Sequence, residues 1–368
     1  MKKIIIIDDN PSLQLQLQNA LTHLSTNKYE IEIWEKEKVQ GKWQSQFDAQ
    51  KLVSNADEDV WRRVILAETN LAMIVADHDL SAFNEVRVSE STLTEACKQS
   101  SIPICTYHRK PGTSTSAQEL RGIYSQTRSF AISIDISNID TAAAKILAVA
   151  DGFETLLTAF NSVSDEIKKA GPASIVSSVL ERPGMVTFFS RYATGPTLAS
   201  DVIDHLDANN QKEAYLQMEK RMPFVLGCWL HNYVLPFPGV LLNEVASASY
   251  VNLSQVDFTN HSNHFSTAKY IGPFSGTAGY WWRTELDQLL VDADCEDGVE
   301  YLSKKSIQAN PSICCVTKNS PAGFYCLVRR EPISLAASVG RLSWIPEGAD
   351  LSRIDTELYD SVAPMMGI

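Results

Sequence analysis

The sequence predicts an α/β chain. A doubly wound, five-stranded parallel sheet comes first, then a long helix, then a second domain that is helical or α+β. Three observations carry this reading. Short runs rich in β-branched residues alternate with helical stretches over roughly the first 135 residues. Two of those runs end in aspartates. A heptad-spaced apolar seam follows, and beyond it the texture of the chain changes.

Residues 3–7 are a compact β-branched run, the pattern of a strand buried on both faces of a parallel sheet. The run stops at Asp8-Asp9-Asn10-Pro11, and Ser12 opens a helix with Leu13, Leu17, Leu21 and Leu24 on one face. Residues 29–34 alternate as a second strand. Residues 71–76 form a third, ending in Asp77-His78-Asp79. Residues 102–107 and 130–134 supply the fourth and fifth. Helical stretches fall at 57–69 and 90–99.

In open α/β sheets, ligands sit outside the carboxyl ends of the strands at the point where strand order reverses. In a flavodoxin-like order the first and third strands are neighbours, so Asp8, Asp9 and Asp77 converge on one crevice. Converging carboxylates repel unless they share a cation. An oxygen-only set of this kind suits Mg²⁺. A carboxylate beside Mg²⁺ can also attack a phosphoryl group.

The seam reads Ile139, Ile146, Phe153, Phe160, Ile167 and, in the second register, Ala142, Val149, Leu156, Val163. Ser137 or Asn138 can cap a helix there, and Gly171-Pro172 stops it. A helix over 138–171 would span roughly 45 Å. Two partners stay open for its outer half. One is the core of its own chain. The other is a second copy, paired through Ile146, Phe153, Phe160 and Ile167 in a homodimer. The expected organisation is 1–137, the helix 138–171, a helical region 172–256 and an α+β region 257–368.

The second half offers weaker signals. Helices are expected at 173–180, 197–206, 212–222, 225–235, 240–250 and 285–291. A hairpin is expected between 313–316 and 324–328, with a further strand in 335–344. His261-x-x-His264 lacks a third metal ligand. Adjacent Cys314 and Cys315 would face opposite ways on a strand. Ser275 lies outside a G-x-S-x-G elbow. Trp281-Trp282-Arg283 could stack on a base or a peptide, but two tryptophans read first as core and rim of an interface, and no basic residue falls in 241–256, which argues against a DNA-reading helix there.

Composition bounds the function. A chain of 368 residues has room for two domains. Its net charge of −12 argues against bulk binding to nucleic acid or anionic membranes. No apolar run approaches a membrane span, and the run after Met1-Lys2-Lys3 ends at once in Asp8-Asp9, unlike a signal peptide. Seven cysteines, an odd number with no C-x-x-C, are expected as thiols in a cytoplasmic protein.

Residues 1 to about 150 resemble the receiver domain of two-component response regulators. The matching pieces are Ile4-Ile5-Ile6-Ile7-Asp8-Asp9-Asn10, Ile74-Val75-Ala76-Asp77 and Ile102-Pro103-Ile104-Cys105-Thr106. The resemblance implies that Asp8 and Asp9 hold Mg²⁺ together with Asp77, that Asp77 accepts a phosphoryl group, and that Thr106 senses it. Asp79 is a rival acceptor. Two departures stand out. The segment near 35–59, which includes Trp43, has no place in a minimal receiver. The fifth strand, Phe130-Ala131-Ile132-Ser133-Ile134-Asp135, ends without the family's Lys and Pro; Lys110-Pro111 comes too early and Arg128 precedes the strand.

The expected function is cytoplasmic signal transduction. A receiver-like domain, with or without phosphate, regulates a C-terminal output or interaction domain through the helix. A histidine kinase or another protein would be its partner. Two other readings stay open: an enzyme whose C-terminal site is unrecognised, and a scaffold without chemistry.

Overall fold

The computed structural model describes residues 1–48, 57–108, 115–193, 211–340 and 342–366. The helix expected at 197–206 and the Lys110-Pro111 pair lie outside them. Contacts divide the chain into two units, one of Met1–Thr113, Ser129–Ser162 and Asp201–Cys228, the other of Ser114–Arg128, Val163–Ser200 and Trp229–Ile368.

The first unit is built on β1 (Lys2–Ile7), α1 (Pro11–Ser25), β2 (Tyr29–Trp34), α2 (Lys36–Asp48), α3 (Asp57–Ala67), β3 (Leu71–Asp77), α4 (Glu90–Ser100) and β4 (Ile104–His108). Helix α5 (Ser116–Gln126) belongs with the second unit, and β5 (Ala131–Asp135) and α6 (Ile139–Asn161) return to the first. All five strands are parallel in the order β2-β1-β3-β4-β5, the flavodoxin-like arrangement. Ile4 to Ile7 are fully buried, as a central strand covered on both faces requires. Asn10 caps α1 by accepting the Leu13 N–H at 3.2 Å, and Pro11 occupies the first turn, where its missing donor costs nothing.

Between β2 and β3, helices α2 and α3 add to the core. Helix α2 lays Val39 and Trp43 against the sheet cluster, with Trp43 stacked on Phe47 at 4.6 Å. Val60, Trp61, Val64 and Ile65 of α3 join the same cluster as Ile5, Ile7 and Ile74.

The single helix expected over 138–171 is two helices. Helix α6 stops at Asn161. Ser164 then caps α7 (Asp165–Lys169), its hydroxyl accepting the Ile167 N–H at 3.4 Å. A serine that bonds its own following turn favours a new start over continuation. Most of the seam is buried: Ala142, Ile146, Val149, Phe153, Leu156 and Phe160 are all in the core. Phe153 stacks on Phe224 at 6.2 Å, and Phe224 on Phe130 at 5.8 Å. Of the residues named for a second copy, Ile146, Phe153 and Phe160 are buried and Ile167 is half-buried. Phe224 lies on α10 (Gln211–Trp229), which runs through Pro223 instead of breaking there as the sequence suggested.

The second unit is mixed. It contains α5, α7, α8 (Pro172–Val179), α9 (Val186–Ser190), β6 (Leu241–Asn243), α11 (Glu244–Tyr250), α12 (Gln255–Asn260), β7 (Tyr280–Trp282), α13 (Arg283–Asp292) and α14 (Gly298–Ser303). It ends with β8 (Phe324–Cys326), β9 (Pro332–Ile333), β10 (Ser338–Val339), β11 (Ser352–Asp355) and α15 (Thr356–Met366). Strands β6 and β7 pair antiparallel, and the last four strands order as β10-β11-β8-β9. The hairpin expected between 313–316 and 324–328 is not formed. Residues 315–317 turn, Ile313 makes only a bridge to Pro321, and β8 pairs instead with β9 and β11. Trp281 and Trp282 are buried, with Phe258 edge-on to Trp281 and Tyr270 edge-on to Trp282. Among the described residues, no helix is long and apolar enough to cross a membrane.

Gly227 of α10 faces the Phe153 ring, and a Cβ there would sit 2.3 Å from it. Gly227→Ala is therefore expected to destabilise the protein by roughly 1–3 kcal/mol in urea unfolding, although alanine is the better helix former.

Candidate functional site

Strand order brings the carboxyl ends of β1 and β3 side by side, with Ile7 opposite Ala76. The residues that follow, Asp8 and Asp9 on one strand and Asp77 on the other, meet there. A carboxylate oxygen from each lies within 4.8 Å of the other two. Asp8 is almost fully buried, Asp77 half-buried and Asp9 exposed. It is the only group of three or more metal-ligating side chains this close among the described residues, and His261 and His264 find no third ligand.

Asp8 is held from three directions. Its Oδ1 accepts the Asn10 N–H at 2.7 Å. Its Oδ2 accepts the hydroxyl of Tyr107. Its carbonyl accepts from Gln14 Nε2 at 2.8 Å, and that amide also reaches the Trp34 carbonyl at 3.3 Å. The helix cap and β4 thus fix the carboxylate, and the first turn of α1 fixes the backbone carbonyl of the same residue.

Register explains which hydroxyl arrives. Tyr107 pairs with Asp77 across β3 and β4, and Thr106 pairs with Ala76. Successive strand residues point to opposite faces. Tyr107 therefore shares the face of the acids, while Thr106 lies buried on the other face, the side of Ala76 and Ile104. Sequence spacing put Thr106 in the site, and the structure puts Tyr107 there. Alternation counted from Asp77 through the strand register would have found it.

The other candidates sit apart. Asp79 accepts the Ser81 N–H at 3.0 Å and is exposed; Ser81 holds its carboxyl below the usual range. Arg128 covers the Tyr124 ring in the second unit. At the end of β5, where the resemblance asks for a Lys, stands Asp135, paired in register with His108 and accepting the Ser137 N–H at 2.9 Å.

Burial is the main force on both inner acids. It pushes the Asp8 carboxyl above the usual range; Tyr107 and Asn10 pull it back, and Asp77 and Asp9 push it further up. Asp77 is raised for the same first reason, offset by the N–H groups of Asp79 and His78 and increased by Asp9 and Asp79. The Tyr107 hydroxyl is also raised, first by burial and then by the charge of Asp8. A carboxyl whose folded pKa is raised favours the fold at acid pH. That contribution is lost as pH rises through the folded value. At neutral pH the crevice therefore works against the fold, and a hard divalent cation would remove the conflict. No family model, curated protein or solved structure gives a significant match to this chain.

Tyr107→Phe removes the donor from a buried carboxylate and is expected to cost roughly 1–3 kcal/mol at neutral pH. The difference from the unmodified protein should shrink as acid protonates Asp8, which melting curves across pH would display.

Proposed function

We propose that the first unit is a receiver-like signalling module that binds Mg²⁺ through Asp8, Asp9 and Asp77, works without phosphoryl transfer, and regulates the second unit. The observation that carries this reading is the convergence of three carboxylate oxygens within 4.8 Å at the switch point of a β2-β1-β3-β4-β5 sheet. The donor set is all oxygen, which fits a small hard cation that keeps several waters. Bound there, Mg²⁺ would supply positive charge to a crevice whose inner acids are already driven toward protonation.

Independence from phosphate is supported by what surrounds Asp77. A phosphoryl group would bring roughly two further negative charges. It would meet Asp8 and Asp9, with an acid in place of a Lys at the end of β5 and the threonine of β4 on the other face. Tyr107 is the residue positioned to report a cation, because any ion engaging both oxygens of Asp8 competes with its hydroxyl. From β4 the chain runs on to α5, which belongs with the second unit. There Glu119 pairs with Arg330 at 3.2 Å and Tyr124 meets Trp344 edge-on at 5.8 Å. A change at the end of β4 thus has a covalent route to the output. Net charge −12 favours a protein partner over nucleic acid, and seven cysteines, none of them in a disulfide, favour a reducing, cytoplasmic setting.

Calorimetric titration of the whole chain with Mg²⁺ should give saturable binding that Asp77→Asn weakens roughly 10- to 100-fold, the effect of losing one charged ligand. Incubation with Mg²⁺ and acetyl phosphate should leave the intact mass unchanged. A phosphoryl adduct that disappears in Asp77→Asn would instead make this a phosphate-dependent receiver. Absence of Mg²⁺ binding would remove the cation from the reading.

A further inference from the structure

The second unit contains a cavity of about 30 Å³ that the signalling reading leaves unused. It is lined by Phe188, Arg191, Val240, Arg283, Thr284 and Asp350, with the backbone of Gly239 and Gly348 completing it. That is more than the roughly 10–15 Å³ one water needs.

Its polar groups are donors in excess. Arg283 is fixed in place: Nη1 alone meets both Asp350 oxygens, at 2.8 and 2.9 Å, and the guanidinium lies over the Tyr250 ring at 4.8 Å. Arg191 is exposed and donates from Nη2 to the Glu347 carbonyl at 3.2 Å. A carbonyl does not neutralise it, and among the described residues no carboxylate pairs with it. Thr284 has a buried hydroxyl oxygen with no hydrogen-bond partner. A buried hydroxyl left unsatisfied is costly and calls for an explanation. Thr284 also stands in the first turn of the ten-residue α13, whose N-cap residue, Trp282, provides no side-chain cap. The first acid of that turn, Glu285, is turned to Arg182 at 2.7 Å. The first N–H of the helix, that of Arg283, is already taken by the Val240 carbonyl at 3.2 Å, so the donors left to the cavity are the two guanidinium groups and the orphan hydroxyl.

We propose that this cavity binds a phosphoryl oxyanion, held by Arg191, Arg283 and the Thr284 hydroxyl. The donors come from two separate chain segments, 188–191 and 283–284. They outnumber the two oxygens of a carboxylate and match the three or four of a phosphoryl group. Arg283 already carries one carboxylate, so a second carboxylate would add little that Asp350 does not supply. Phe188, 44% exposed, lines the same cavity and offers apolar surface to whatever the phosphoryl group is attached to. This inference is independent of the acidic crevice in the first unit.

Inorganic phosphate is the probe. Titrated into the whole chain at constant ionic strength, it should bind saturably. Arg191→Ala should weaken it roughly tenfold or more, and Thr284→Val by roughly tenfold, the loss expected for hydrogen bonds to a charged group. Arg191 is at the surface, and removing an orphan hydroxyl takes away no protein contact. Both variants should therefore melt no lower than the unmodified protein without phosphate. Three results would overturn the proposal: no saturable binding, equal binding of acetate, or unchanged phosphate binding in both variants.

Discussion

Carboxylates at the ends of adjacent parallel strands repel, and here the sheet leaves them no room to separate. The isoleucines of β1 are buried on both faces, so the strand cannot slide to move Asp8 toward water. The register of β1 on β3 then sets Asp77 beside it. Asn10, Gln14 and Tyr107 each give a donor to the Asp8 residue, and between them they tie α1, β2 and β4 to one point. Much of the order at this end of the sheet is the answer to one electrostatic conflict. A cation bound there, as proposed, would act on more than the residues that touch it.

The sheet was legible because its strands are β-branched runs that end abruptly in polar residues. The acids were legible because they end two of those runs. Thr106 was misplaced for a physical reason. Spacing along a chain finds the right strand, but only register finds the face, and one residue decides between a buried threonine behind the sheet and a tyrosine in the crevice. The helix at 138–171 failed differently. Apolar heptad spacing continues through Val163, which is buried, but periodicity reports burial and not continuity. Ser164 restarts the backbone without disturbing the pattern. In the second unit the strands are two to four residues long, too short for period-two alternation to register, and the hairpin was drawn to the wrong partner.

The two halves of the chain carry opposite chemistry. The first unit gathers acids and hydroxyl or amide donors at a strand switch point. The second gathers guanidinium groups and an orphan hydroxyl in a small cavity. The arginine-lined cavity was invisible in sequence because its parts are nearly a hundred residues apart, from Arg191 to Thr284. Only the fold shows that they share a wall. Trp281-Trp282-Arg283 is the one piece visible beforehand; both tryptophans are buried, and Arg283 lines the cavity.

On the proposed reading, a cation in the acidic crevice is felt through Tyr107 along β4 and onward. Amide hydrogen exchange followed by mass spectrometry, with and without Mg²⁺, tests it most directly. The account predicts altered protection in peptides covering β4, Ile104–His108, and α5, Ser116–Gln126, in addition to the Asp8–Asn10 turn. Protection that changes only at that turn, with β4 and α5 unaffected, would contradict it.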